Sequence, residues 1–250
     1  MCGRYELHTN PAAIALAFGL ARPPDIVPRY NVAPTQMVPV VRRNAEGERE
    51  LVQVRWGLVP RWAKDPSIGV RMINARAETV ADKPAFRNAF QRHRCLIPAD
   101  GFYEWRTGPG GKQPMRIARV DGQPFGMAGL FERWRSPDGE VLDTCTILTT
   151  HASALLSAVH ERMPVIVPPG QYDRWLEPAN VEITDLFGPC VDIDLRFHPV
   201  SMRVNAVRND DPALIEEVAA TAGPARVVEM AAAGDDAAAT PELPLQERLF

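Results

Sequence analysis

The chain has 250 residues, 46% of them hydrophobic and 24% charged, with a formal net charge of −3. That balance excludes a chain too polar to fold, and the length suits one large domain or two small ones. No run approaches the roughly 18 apolar residues of a membrane span, and the first residues lack the basic and apolar regions of a signal peptide, so a cytoplasmic protein is expected.

The charge is unevenly spread. From Gly223 onward five acids stand against two bases, so this stretch carries the whole of the net −3 and the preceding residues balance. Only Lys64, Lys83 and Lys112 are lysine among the 28 basic residues. Arginine is the better fork for phosphate; the composition permits nucleic-acid binding without arguing for it. The four cysteines, Cys2, Cys95, Cys145 and Cys190, form no CxxC pair, and no histidine stands at zinc spacing from them. Neither a metal nor another cofactor is expected, and Cys95 and Cys145 read as core thiols.

In chain order, "TNPAAIALAFGL" predicts a short helix with Asn10 as N-cap and Pro11 at its first position. "RPPDIVPRYNVAPTQ" reads as an irregular proline-rich loop, and "MVPVVRRNAEGERELVQVRWGLVP" as a hairpin around a Glu-Gly turn. "KPAFRNAFQRHR" spaces Phe86, Ala89 and Phe90 for one helical face. Four strand-like runs follow, "CLIPADGFYEWR", "QPMRIARV", "FGMAGLFERW" and "VLDTCTILTT", separated by Gly- and Pro-rich turns. After them come a short helix in "HASALLSAV", a strand in "MPVIV", a helix in "PPGQYDRWL" and a last surface helix in "ALIEEVAATA". The expected fold is α+β: a single domain over residues 1–222, built on a curved, mainly antiparallel, barrel-like β-sheet with short peripheral helices. Residues 223–250 read as a disordered acidic tail rich in Ala and Pro.

Cys2 stands directly behind the initiator methionine, and cysteine is small enough for that methionine to be removed. The product carries an α-amine and a thiol on one residue, and both are nucleophiles near neutral pH. A 1,2-aminothiol attacks amides and esters, or condenses with an aldehyde to close a five-membered ring. Equally, Cys2 could be a small apolar residue opening a strand. Other stretches combine polar groups with structure-breaking or aromatic neighbours: Asn31 in "RYNVAPTQ"; Asn74, Arg76 and Glu78 in "RMINARAET"; Glu104 in "GFYEWR"; His160 and Arg162 in "HERMP". Strand alternation sends Glu104 to the face opposite Tyr103 and Trp105. Singly, each has an ordinary structural explanation.

Together, "MCGRY", "YNVAPTQ", "RWGLVPRWA", "NARAET", "CLIPADGFYEW", "LTTHA" and "HERMPVIV", in this order, resemble the SRAP (SOS-response-associated peptidase) family of abasic-site processing proteins. The resemblance runs from Cys2 to about Asp211. It implies that the mature N-terminal Cys2 links covalently to an abasic site in single-stranded DNA, through an imine that its thiolate closes to a thiazolidine. Catalytic roles then fall to Asn74, holding the sugar; Glu104, shuttling protons; and His160, delivering a proton toward O4′. Arg4, Arg76 and Arg162 are expected on phosphates, and Asn31 in the same pocket. Trp62 and Pro39 would stack on bases or block a duplex at a single-strand junction. The family name adds a peptidase activity, read as self-removal of Met1 or reversal of the crosslink. A monomer associated with the nucleoid follows from this reading. Two rivals remain: an N-terminal-cysteine amidotransferase, and a non-covalent single-strand binding module.

The chain ends "PLQERLF", which resembles a bacterial sliding-clamp ligand with Gln246, Leu249 and Phe250 as anchors. A peptide of the last ten residues is expected to bind purified clamp in a fluorescence-anisotropy titration, and a Gln246→Ala peptide to bind much less. Equal signals from the two would end the assignment.

Overall fold

The computed structural model describes residues 2–178 and 182–219; the tail with Gln246, Leu249 and Phe250 lies outside the described residues. The strands are β1 (Tyr5–Leu7), β2 (Arg29–Val32), β3 (Met37–Arg43), β4 (Arg49–Trp56), β5 (Asn74–Arg76), β6 (Arg94–Ala99), β7 (Gly101–Gly108), β8 (Gly111–Arg119), β9 (Phe125–Arg135), β10 (Val141–His151), β11 (Arg162–Pro164), β12 (Ile166–Val167) and β13 (Leu195–Pro199). The α-helices are α1 (Pro11–Phe18), α2 (Arg87–Arg92) and α3 (Tyr172–Leu176).

Strands β3, β4, β10, β9 and β6 close on one another as a barrel, since β9 pairs with both β6 and β10. All of its pairings are antiparallel except β4 with β10. The second sheet, in the order β13-β8-β7-β1-β2, is antiparallel throughout. This is the expected α+β class, with the sheet curved into a barrel and the helices short and peripheral.

Local chemistry explains the elements read correctly. Asn10 accepts a hydrogen bond from the Ala13 amide at 2.9 Å, Pro11 fits the first turn, and Gly19 ends α1 at φ 63°. The β3–β4 hairpin turns through Gly47 at φ 82°, where L-residues are strained.

Several expectations need correction. The proline-rich loop contains β2, because Arg29–Val32 has β1 as a partner, with Tyr5 opposite Val32. "CLIPADGFYEWR" is two strands in two sheets, and the chain turns at Asp100. That carboxylate accepts from the His8 amide at 2.5 Å, the Thr9 amide at 2.7 Å and Thr9 Oγ1 at 2.5 Å, pinning the corner to the end of β1. "HASALLSAV" yields only a 3-10 turn, Leu156–Ala158, and "MPVIV" divides into β11 on β10 and β12 on β9. "PPGQYDRWL" starts as a 3-10 turn, Pro169–Gln171, before α3. The last expected helix is a 3-10 turn, Pro212–Ile215, followed by non-helical residues up to 219. Leu214 is buried there with Tyr103, Val200 and Val204, and Val218 donates to the Pro199 carbonyl at 3.0 Å. Packing onto the second sheet overrides helical propensity.

β1 is short but firmly held. Buried Glu6 accepts from Arg116 Nε at 2.7 Å, and the Tyr103 hydroxyl lies 3.0 Å from its other oxygen. A Cβ at Gly101 would stand 2.5 Å from Glu6 Oε1 and 2.8 Å from the Ile117 carbonyl. Gly101→Ala is therefore expected to destabilise the fold by about 1–3 kcal/mol, as overpacking does. A urea-unfolding midpoint equal to that of the parent would refute this.

Candidate active site

Tyr5 lies opposite Phe102 and Glu6 opposite Gly101, and the Tyr103 amide donates to the Arg4 carbonyl at 2.9 Å. Strand pairing begins at Tyr5, and Cys2, three residues ahead of it, lies close enough to Glu104 for that carboxylate to act on its thiol. Cys2 is wholly buried, and its carbonyl accepts from Asn74 Nδ2 at 2.8 Å. Asn74 opens β5 opposite Ile147 of β10, so a strand paired to the barrel holds the backbone of a residue just ahead of β1 in the other sheet. Asn74 Oδ1 is also buried, yet has no hydrogen-bond partner. Such an oxygen is costly to leave unpaired, and a donor from a bound molecule would satisfy it.

Glu104 and His160 line one small cleft with Phe102, Ile117, Leu156, Val159 and Arg162. His160 follows the 3-10 turn Leu156–Ala158, and its Nδ1 accepts from the Arg162 amide at 2.9 Å. That bond assigns the proton of the neutral ring to Nε2. The loop closes where the Ala152 amide donates to the Glu161 carbonyl at 2.9 Å. As alternation requires, Tyr103 and Trp105 take the opposite face of β7 and pack with Val200, Val204 and Leu214.

The electrostatics of the cleft are those of a dry site. Burial pushes the Glu104 carboxyl above its ordinary value, opposed in part by the neighbouring His160. Burial also pushes the Cys2 thiol far up, and the Glu104 charge adds to that. Cys2 is thus a thiol in this structure, and a nearby carboxylate is the natural acceptor of its proton.

The remaining expected residues divide. Arg162 rims the cleft; its Nη1 and Nη2 donate to the two oxygens of Glu78 at 2.8 and 2.9 Å. Arg76 ends β5, exposed, two residues beyond Asn74. Asn31 is fully buried with its amide occupied: Nδ2 faces the carbonyls of Val204, Ala206 and Asn209 at 3.2, 3.2 and 2.7 Å, and Oδ1 accepts from Arg4 Nη1 at 2.7 Å. Arg4 also donates to the Val204 carbonyl at 2.6 Å and lies over the Trp105 ring. Pro39 lines a separate cleft with Tyr5, Ile26, Val27 and Met37. Trp62 is 60% exposed on the β4–β5 loop. The base of that loop is pinned where a Cβ at Gly69 would meet the Gly57 carbonyl at 2.5 Å.

Two neighbours of Arg162, Thr149 and His151, escaped sequence reasoning, and Glu78 was singled out there without a role. The signal was present, since alternation in "LTTHA" puts Thr149 and His151 on one face. Among the described residues no group of three or more His, Cys, Asp or Glu side chains could hold a metal ion. No described helix is long and apolar enough to cross a membrane.

The model of the SOS response associated peptidase (SRAP) family matches residues 1–207. The chain belongs to the SRAP family. It is 42% identical over 223 residues to the abasic site processing protein YoqW of Bacillus subtilis (strain 168), covering 86% of this chain and 99% of that one. The abasic site processing protein HMCES of Gallus gallus is 37% identical over 219 residues, 74% of this chain and 65% of the relative. Among solved structures, a Bordetella bronchiseptica protein superposes with a TM-score of 0.70 at 32% identity, covering 80% of this chain and 100% of that one. A Bacteroides thetaiotaomicron protein superposes at 0.76 with 25% identity, covering 87% and 100%.

The raised Glu104 carboxyl makes a stability prediction for this SRAP chain. A carboxyl whose folded value lies above its ordinary 4.5 favours folding only while protonated, and its ionisation at higher pH opposes the fold. Glu104→Gln is therefore expected to raise Tm at pH 8 by roughly 2–4 °C, the equivalent of about 1 kcal/mol at this length. The gain should shrink as the pH falls below the ordinary carboxylate value. A scanning-calorimetry series with an equal difference at pH 4 and pH 8 would contradict this origin.

Proposed function

We propose that this protein processes abasic sites in single-stranded DNA by linking them covalently to Cys2. The observation that carries the reading is the hold of Asn74 on the Cys2 carbonyl, with its own Oδ1 left buried and unpartnered beside the Glu104–His160 cleft. The names of the relatives give the substrate class.

The chemistry follows from the residue types. Removal of Met1 frees the Cys2 amine, which attacks the C1′ aldehyde of the ring-opened sugar; an imine forms and one water leaves. The thiol then adds across the C=N bond. Sulfur bonds to C1′, its proton leaves through Glu104, and the nitrogen regains a proton as the thiazolidine closes. Consuming the imine removes the species that would promote β-elimination of the 3′ phosphate, so the strand is shielded. His160 is assigned to deliver a proton toward O4′ for ring opening. Glu104, its carboxyl raised by burial, passes protons between amine, departing water and thiol. The same three residues would serve self-removal of Met1 or reversal of the crosslink. Arg4, Arg76 and Arg162 are assigned to phosphates; Trp62 and Pro39 are assigned to base stacking at a junction. Asn31 acts in this reading by holding Arg4.

The test mixes mature protein with an oligonucleotide carrying one abasic site and reads a denaturing gel. A shifted band is expected that needs both the abasic site and Cys2. Cys2→Ser keeps the amine and loses the thiol, so it should leave only a labile adduct, trapped by borohydride, together with increased strand cleavage. A stable adduct with Cys2→Ser would refute the thiazolidine. No adduct from mature parent protein would refute the covalent reading, leaving a binding module.

A further inference from the structure

Residues paired across adjacent strands share a face of the sheet, and so do residues two apart on one strand. Arg76 of β5 pairs with Thr149 of β10, and His151 of β10 pairs with Arg162 of β11. Arg76, Thr149, His151 and Arg162 therefore stand on one face, and Asn74 begins the same row. From Asn74 to Arg76 is about 6.6 Å along the strand. This row leads away from Cys2, and it is where the proposed phosphate contacts lie.

One carboxylate sits among these cationic groups. Glu78 takes both Nη1 and Nη2 of Arg162, at 2.8 and 2.9 Å, and His151 Nε2 lies 3.4 Å from its Oε1. Nη2 of Arg162 also donates to the Thr149 carbonyl at 2.5 Å, while Nε is buried without a partner. The outer fork of the guanidinium is thus occupied by a carboxylate whose two oxygens imitate those of a phosphate. The Arg162 side chain is only 12% exposed, so it is held in one pose. Arg162 in turn holds the Glu78 carboxyl below its ordinary value, so Glu78 is an anion at neutral pH.

We propose that Glu78 is an internal phosphate mimic that sets the DNA specificity of this face. In the free protein it neutralises Arg162 and repels a passing backbone. A strand anchored and bent at Cys2 presents a phosphate that displaces Glu78 from the guanidinium fork, and the released carboxylate turns to His151. Ordinary single strands, lacking that anchor, do not supply the displacement. Glu78 is a specificity-determining residue, since it acts through Arg162. The inference rests on the assignment of Arg162 to a phosphate.

The test uses the full chain and a labelled single strand, either intact or carrying a tetrahydrofuran abasic analogue. The analogue has no aldehyde and cannot crosslink. Affinity is measured from 50 to 200 mM salt for the parent, Glu78→Gln, Glu78→Asp and Arg162→Ala. Glu78→Gln is expected to bind intact DNA roughly three- to tenfold tighter at low salt. Its log–log salt slope should steepen by about 0.7, the increment for one added single-strand phosphate contact. Its preference for the analogue should narrow, and Glu78→Asp, which keeps the charge, should follow the parent slope. A residue that merely supports the fold would weaken binding when replaced and leave the slope alone. If Arg162→Ala weakens binding while Glu78→Gln leaves affinity and slope unchanged or lower, the mimic is overturned and the phosphate assignment stands. If Arg162→Ala binds like the parent, that assignment fails and takes the mimic with it.

Discussion

β1 is three residues long, and the pairing of Tyr5 with Phe102 decides where the chain ahead of it runs. Cys2, three residues ahead of Tyr5, then lies beside Glu104 and within reach of Asn74, and a slip of β1 by one residue would send each of its side chains to the other face of the sheet. So short a strand is not stable by its own ladder. It is braced at one end by the Asp100 carboxylate and along its length by the buried Glu6–Arg116 pair. Burial raises the Glu6 carboxyl, with Arg116 opposing. Such a pair contributes register more surely than net stability.

The two sheets then divide the work. The second sheet supplies Cys2 and Glu104, while the barrel supplies Asn74 through β5 and Arg162 through β11. Because β5 and β11 both pair with β10, the barrel's contributions keep fixed spacings. The loop carrying His160 lies outside regular strand pairing, as Cys2 does ahead of β1, and its ends are joined between Ala152 and Glu161. The covalent reaction proposed above, with two successive bond-forming steps, needs this pre-arrangement, since amine and thiol must meet one carbon in turn. The buried carboxyl and the unpaired Asn74 oxygen are costs the fold carries for that readiness.

Much of this was legible in the sequence. The N-cap at Asn10, the hairpin turn and the strand alternation that separates Glu104 from its aromatic neighbours are local rules, and the structure obeys them. The errors arose where distant partners decide the conformation. Arg29–Val32 is extended because β1 lies beside it, a partner 22 residues or more away in sequence. "CLIPADGFYEWR" has the pattern of one strand, and only the docking of His8 and Thr9 on Asp100 breaks it into two. Pattern alone could not reveal the ion pair of Glu78 with Arg162, which are 84 residues apart. The motifs do not state which arginines already have internal partners.

The arginines separate by what holds them. Arg4 looks like a phosphate ligand in sequence, yet its guanidinium is clasped by Asn31 and the Val204 carbonyl. Those bonds belong to a larger fastening. Asn31 Nδ2 donates to the carbonyls of Val204, Ala206 and Asn209, Trp105 Nε1 donates to Asn205 Oδ1 at 2.8 Å, and Asp210 accepts from the Tyr30 amide at 2.5 Å and from Arg29. The segment after β13 therefore covers the outer face of the sheet whose inner face carries Glu104. Tyr103 and Trp105 pack under it, and their alternation with Glu104 transmits its position to the cleft. Residues far from Cys2 in sequence thus hold the back wall against which the N-terminal strand is laid, which gives a physical reason for the family match to run to residue 207.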